Sequence, residues 1–190
     1  MATTIVLVRH GETDWNREQR YQGHTNTPLN EAGREQAREL AGLLRDEPLS
    51  AIYTSPLLRA SQTAEILADR LGLESQWLEA LREIDVGTWE GRTFDEVKSR
   101  YPERADMDWR SGWKEGETYE ELSARVIPAL LELGIEHPDE SVLAVTHAGP
   151  IRAALTFAMG LPGDGALPLI GLLGNCSIYR VAIEDGRLER

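Results

Sequence analysis

Arg9, His10 and Gly11 follow directly on the apolar run at residues 5–8, and His147 and Ala148 follow on the run at residues 142–145. A third break, Ser55 to Arg59, delivers another arginine after "AIYT". A neutral imidazole is a nucleophile whose pKa lets it act near neutral pH. A guanidinium offers planar, paired donors that match the oxygens of a phosphoryl group. Two of each at matching breaks make an anion site with a nucleophile in it. Phosphoryl transfer asks mainly for alignment and for positive charge on the equatorial oxygens. A departing alkoxide also needs a proton. Glu83, in "LREIDVGTWEG", is the favoured donor, because an apolar approach (Leu78, Leu81) followed by a turn can leave it part-buried with a raised pKa. Spacing alone leaves Asp85 and Glu90 in competition with it.

These residues need elements to bring them together. Thr3–Arg9 reads as a nearly continuous apolar strand, the pattern of a strand buried on both faces. A helix follows with Asn30 as N-cap and Ala37, Leu40, Ala41 and Leu44 at helical spacing. Residues 50–55 form a second strand. Ser55 and Pro56 then predict a helix start, as N-cap and first helical residue, lined by Leu57, Ala60, Ala64, Leu67 and Leu71 and closed by Gly72. Residues 78–86 hold a further short strand. Capping boxes predict helices at Thr93 with Glu96 and at Thr118 with Glu121, the second kinked or shortened by Pro128. A strand at residues 141–146 precedes a helix started by Pro150, whose backbone N–H groups would lie beside His147. The tail is a hairpin turning at Asp185 and Gly186. Alternating strands and helices predict a mostly parallel sheet covered on both faces, with its ligand beyond the C-terminal strand ends. All the breaks would then open on one edge. No repeat or linker divides the chain, so residues 1–190 read as one domain.

Bulk properties narrow the classes. With 190 residues, 41% hydrophobic and 27% charged, the chain is globular in composition. A formal charge of −12 repels nucleic acid and anionic lipid, so neither is expected as a partner. No stretch has the length and apolarity of a membrane span, and the N-terminus lacks the order of a signal peptide. A single cysteine, Cys176, suits a reducing cytoplasm and reads as a small buried hydrophobe. His24 and His137 read as surface residues, and Trp15 and Trp89 as core or rim packing. The four histidines show no zinc-type helical spacing, so no metal or cofactor is expected.

"LVRHGETDWN" resembles the signature of the histidine phosphatase superfamily, with its phosphoglycerate mutase-like fold. "RYQGHTNTPLNEAGREQA", "IYTSPLLRASQTAEIL", "LREIDVGTWEG" and "VLAVTHAGPIRA" resemble its other blocks in the family's order, over almost the whole chain. The resemblance implies a three-layer α/β/α sandwich and no required metal. It implies His10 as the phosphorylated nucleophile, Arg9, Arg59 and His147 as holders of the phosphoryl group, and Glu83 as the proton donor. Asn16, Gln22 and Gly23 match positions around the family's phosphate pocket, and Ala148 joins them as an expected substrate-binding position.

Family mutases of the glycolytic type carry a large insertion with paired arginines after the glutamate block. Here that segment is short, Arg110 has no arginine beside it, and "EGETYEEL" resembles the "GGES" of the phosphatases with Glu115 in place of one glycine. The expected activity is therefore hydrolysis of a small phosphate ester, with a phosphoglycerate mutase and a non-catalytic phosphate-binding module as alternatives. Trp109, Arg110, Trp113 and Lys114 would form a lid gripping the substrate. The stretch at residues 160–177 would line the pocket or a subunit contact, and a homodimer is one option for the assembly.

Overall fold

Ile5 and Leu7 point to one side of their strand and Val6 and Val8 to the other, and all four are buried. That alternation requires two hydrophobic layers, one on each face, and the computed structural model supplies both. It describes residues 2–100, 115–161 and 173–189. In chain order the elements are β1 (Thr3–Arg9), α1 (Asp14–Arg17), α2 (Glu31–Leu43), β2 (Leu49–Thr54), α3 (Leu58–Leu71), β3 (Ser75–Trp77), α4 (Phe94–Arg100), α5 (Tyr119–Glu136), β4 (Ser141–Thr146), α6 (Ala148–Ala158), β5 (Ile178–Glu184) and β6 (Arg187–Glu189).

The strands form a sheet in the order β3-β2-β4-β1-β5-β6. The first four run parallel, while β5 and β6 are antiparallel additions at one side. Val6, Val8, Ile52, Leu143 and Val145 pack with Leu40, Ala41, Ala60, Ala64 and Leu67 of α2 and α3. On the opposite face Ile5, Leu7, Val142, Ala144 and Val181 pack with Leu122, Val126, Leu130, Ile151 and Ala154 of α5 and α6. The three-layer α/β/α sandwich expected from the sequence is thus present.

Asn30 caps α2 by accepting from Gly33 N at 2.8 Å, and both capping boxes form, at Thr93 with Glu96 and at Thr118 with Glu121. Gly72 closes α3 with φ 71°, and the hairpin turns on Asp185 (φ 49°) and Gly186 (φ 74°), the two left-handed residues of a type I′ turn. Four local expectations are corrected. Helix α3 starts at Leu58 and not at Pro56, because the Ser55 hydroxyl turns to His147; the first helical N–H instead donates to Asn26 Oδ1 across the loop, at 3.0 Å. The strand expected at residues 78–86 is displaced to Ser75–Trp77, which still pairs with β2, and 3₁₀ turns follow at Glu79–Leu81 and Gly87–Trp89. Helix α6 begins at Ala148, so Pro150 sits third in its first turn, where a missing N–H costs nothing. Helix α5 runs through Pro128 without being shortened. The segment carrying Trp109, Arg110, Trp113 and Lys114 lies outside the described residues, as does most of the stretch at residues 160–177.

Candidate active site

The breaks after β1, β2 and β4 converge because β4 lies between the other two strands. His10 N donates to Thr146 O at 2.9 Å, and Ser55 N to Val145 O at 3.0 Å. The His10 and His147 rings therefore sit side by side, with centroids 5.1 Å apart. A cavity of about 570 Å³ opens over His10 at the C-terminal strand edge, lined by Arg9, His10, Asn16, Gln22, Gly23, Arg59, Glu83 and Ala148 among others. His147 is fully buried beside the His10 ring and is not itself among the residues lining the cavity.

His10 Nδ1 lies 2.7 Å from Gly11 O. A carbonyl can only accept, so Nδ1 carries the proton and Nε2 keeps its lone pair. Burial, reinforced by the Arg59 and Arg9 charges, holds the His10 pKa well below the ordinary imidazole range. The ring is therefore neutral, in its nucleophilic form. His147 is lowered likewise, by burial first and then by Arg59, His10 and Arg9. Its Nε2 meets Ser55 Oγ at 2.8 Å, while its buried Nδ1 has no partner among the described residues. Ser55 Oγ, which accepts from Leu57 N, can donate its own proton to Nε2, and in that tautomer the His147 proton lies on Nδ1.

Arg59 is buried in the first turn of α3, where burial pushes its pKa down to about 10. Its two Nη atoms donate to Gly23 O and Thr25 O, both at 2.9 Å, so it closes the loop around the cavity, while its Nε has no partner among the described residues. Arg9 donates through Nη1 to Leu173 O, and its Nε has no partner among the described residues. Gln22 Oε1 accepts from the Thr13 and Thr27 hydroxyls, leaving its amide NH₂ as the end able to donate. Asn16 completes a capping box with Thr13 at the head of α1 and is held by Asn175 Nδ2 at 3.2 Å.

The structure separates the three competing acids. Glu90 is spent bracing the loop, one oxygen accepting from His24 N and the other from the Thr25 hydroxyl. Asp85 accepts from Gly87 N at 2.8 Å, a local turn cap. Glu83, half-buried, is the one of the three that lines the cavity, where Oε1 accepts from Gly149 N at 3.0 Å and from Ile84 N at 2.9 Å. Its backbone carbonyl is gripped twice, by His24 Nε2 at 2.8 Å and by Arg125 Nη2 at 2.9 Å. Arg125 also donates to Ala80 O and forms a two-point pair with Glu117. His24, read from sequence as a surface residue, is thus a brace for the Glu83 turn.

Sequence reasoning missed Arg152, Asn175 and Gly149, all of which line the cavity. Arg152 was accessible to it: four residues beyond Ala148, it shares that residue's helical face. Asn175, which donates to His10 O at 3.0 Å, had no local signal. Burial pushes the Cys176 thiol up to about 12, the behaviour of a packing group and not of a nucleophile. Among the described residues, no cluster of three or more His, Cys, Asp or Glu side chains could hold a metal, and no helix is long and apolar enough to cross a membrane.

Residues 5–189 match the family model of the histidine phosphatase superfamily (branch 1). An uncharacterized phosphatase, PhoE, of Bacillus subtilis (strain 168) is 39% identical over 188 residues, covering 98% of this chain and 93% of that protein. A mycobacterial glucosyl-3-phosphoglycerate phosphatase, solved with VO3, superposes with a TM-score of 0.89 at 32% identity, covering 98% of this chain and 95% of the other. A phosphoserine phosphatase from Entamoeba histolytica, solved in complex with 3-phosphoglyceric acid, gives a TM-score of 0.81 at 28% identity, covering 98% and 93%.

Proposed function

The chain belongs to the histidine phosphatase superfamily as one of its hydrolases, and from that premise we propose that it cleaves small organic phosphomonoesters through a phosphohistidine formed on His10. The observation carrying this reading is the meeting of a neutral His10, its Nε2 lone pair free, with Arg9 and Arg59 in one cavity, their Nε atoms without a partner among the described residues, and with the His147 ring beside His10.

The phosphoryl oxygens are held by Arg9, Arg59, His147 Nδ1–H and the Gln22 amide, with Asn16, Gly23 and the start of α6 at Ala148 completing the cradle. His10 Nε2 attacks phosphorus in line as the bond to the alkoxide oxygen breaks, and the Glu83 carboxyl protonates that oxygen. Glu83, now a carboxylate, takes a proton from water. The resulting hydroxide attacks the phosphohistidine, releases phosphate and restores His10. Positive charge on the oxygens comes from protein cations, so the reaction proceeds without a metal. Residues 1–190 act as one catalytic domain, in the cytoplasm.

The test is phosphate release from a panel of phosphomonoesters in EDTA, together with trapping of the phosphoenzyme. Release that survives EDTA, is lost in His10→Ala and passes through an acid-labile, base-stable phosphoenzyme is expected. An active His10→Ala, or a covalent intermediate with another stability, would overturn the mechanism.

A further inference from the structure

The carbonyl that holds His10 belongs to the residue type with the freest backbone. Gly11 O accepts from His10 Nδ1, and the position is glycine because α2 passes directly against it: a Cβ there would fall on the Gly33 carbonyl. Without a Cβ the backbone has little preference of its own, so its two peptide units need holding from outside. Both are held. Glu12 N, in the same peptide unit as Gly11 O, donates to Gln36 Oε1 of α2 at 2.9 Å. Gly11 N donates to the buried Thr63 hydroxyl of α3 at 3.0 Å, and across that unit His10 O accepts from Asn175 Nδ2. The Thr63 hydroxyl gives its own proton to Arg59 O at 2.7 Å, so one oxygen ties the loop after His10 to the helix turn that carries Arg59.

Which imidazole nitrogen carries the proton is set by the hydrogen bond the other surroundings offer it, and a neutral ring left alone favours Nε2–H, which would block the attacking lone pair. The Nδ1–H form is therefore imposed by Gly11 O and holds only while that carbonyl keeps its direction. A carbonyl whose own peptide N–H is hydrogen-bonded is fixed in direction and is the stronger acceptor. Any acceptor would serve to satisfy a buried N–H. Here the two acceptors come from two different helices and stand on the two peptide units of the one residue that orients the ring. Resting on the phosphohistidine reading above, we propose that Gln36 and Thr63 are positioning residues for the nucleophile: by pinning both peptide units of Gly11 they hold its carbonyl where it keeps the proton on His10 Nδ1 and turns Nε2 toward the phosphoryl group. Neither is among the residues lining the cavity, so both act through the backbone.

Gln36→Leu and Thr63→Val remove the acceptors at similar volume, while Gln36→Glu and Thr63→Ser keep them. The four variants and the wild type are compared by single-turnover phosphoenzyme formation on p-nitrophenyl phosphate and by competitive inhibition with inorganic phosphate. Thermal melts verify folding, and proton–nitrogen NMR spectra of the histidine rings report the tautomer, with His10 assigned by its loss in His10→Gln. Gln36→Leu and Thr63→Val should each form phosphoenzyme about 20-fold more slowly, with phosphate inhibition within about twofold of wild type. Their His10 signals should move from a pure Nδ1–H pattern to an average over both tautomers, and Gln36→Glu and Thr63→Ser should restore rate and spectrum. Folded Gln36→Leu and Thr63→Val proteins with wild-type rate and ring spectrum would reduce the two contacts to satisfying buried N–H groups. A rate loss with an unshifted ring spectrum, or with equally weakened phosphate inhibition, would assign the effect to the groups that hold phosphate. Each of these results overturns the proposal. If Thr63→Val does not fold, the variants at half-buried Gln36 decide alone. If the wild type forms no phosphoenzyme, the phosphohistidine reading fails by itself, and the ring spectra, which need no turnover, still decide whether the two side chains hold the tautomer.

Discussion

Gly149→Ala should disable the proton donor while leaving the fold intact. Gly149 N donates to Glu83 Oε1, and a Cβ at this position would sit closer to that oxygen than the 3.0 Å real Cβ atoms keep, with Leu122 Cδ2 at 3.3 Å on its other side. The oxygen is the far end of a side chain, so the carboxylate retreats, by on the order of 1 Å; a misplacement of that size costs roughly 100-fold in rate, about 2.7 kcal/mol. Stability should change by less than about 1 kcal/mol, since alanine is the better helix former within α6. The signature lies in the leaving group. An alkyl phosphate needs its oxygen protonated and should show the full loss in kcat, whereas p-nitrophenyl phosphate, whose phenolate leaves without help, should lose only a few-fold. Single-turnover phosphoenzyme formation on both esters, with a thermal melt, measures this. Equal losses on the two esters would refute the assignment of Glu83 as the acid.

Arg125→Met releases the Glu83 turn at Ala80 O and Glu83 O and strands Glu117; kcat should fall about tenfold with KM nearly unchanged, and urea melts should show a loss of about 1–3 kcal/mol. Lowered histidine pKa values predict a pH-dependent stability. The folded values of His10 and His147 lie below the unfolded value of 6.5, so the unfolded chain binds the extra protons. Stability is complete above that pH and is lost as pH falls from there through the folded values, each ring contributing a slope of about 1.4 kcal/mol per pH unit. Urea titrations between about pH 7 and pH 5 should lose close to one ring's share of that slope in His10→Asn; an unchanged slope would mean that His10 is not held neutral. Gly33→Ala drives a methyl into the backbone of Glu12, next to the loop that follows His10, and should destabilise by about 1–3 kcal/mol and lower activity. A melt within experimental error of wild type would contradict that close approach.

The residues legible in the sequence were those whose position follows from strand ends. Arg9, His10 and His147 could be placed on one edge because parallel strands present their C-termini together, and Arg59 because its helix follows such an end. The acid could not be chosen that way. Glu83, Asp85 and Glu90 share one turn, and what separates them is contact with His24, Thr25 and Gly149, residues 59 or more positions removed in sequence for His24 and 66 for Gly149. Ser55 illustrates the converse error. Serine before proline is a sound local signal for a helix cap, but its hydroxyl is committed to an imidazole 92 residues away, and Asn26 serves the helix instead. Local chemistry named the candidates, and long-range packing assigned their duties.

The register between β1 and β4 has a consequence for inheritance. Arg9 pairs with Thr146, so His10 and His147 leave the sheet as neighbours. A one-codon insertion within either strand would turn the following side chains to the opposite face and part the two rings. The same insertion between Gly72 and Ser75, in the connection after α3, would leave both rings in place. Changes of length are therefore closed to the strands that carry the chemistry and open to connections away from the cavity, and a lineage built on this frame can vary in length while keeping the reaction it performs.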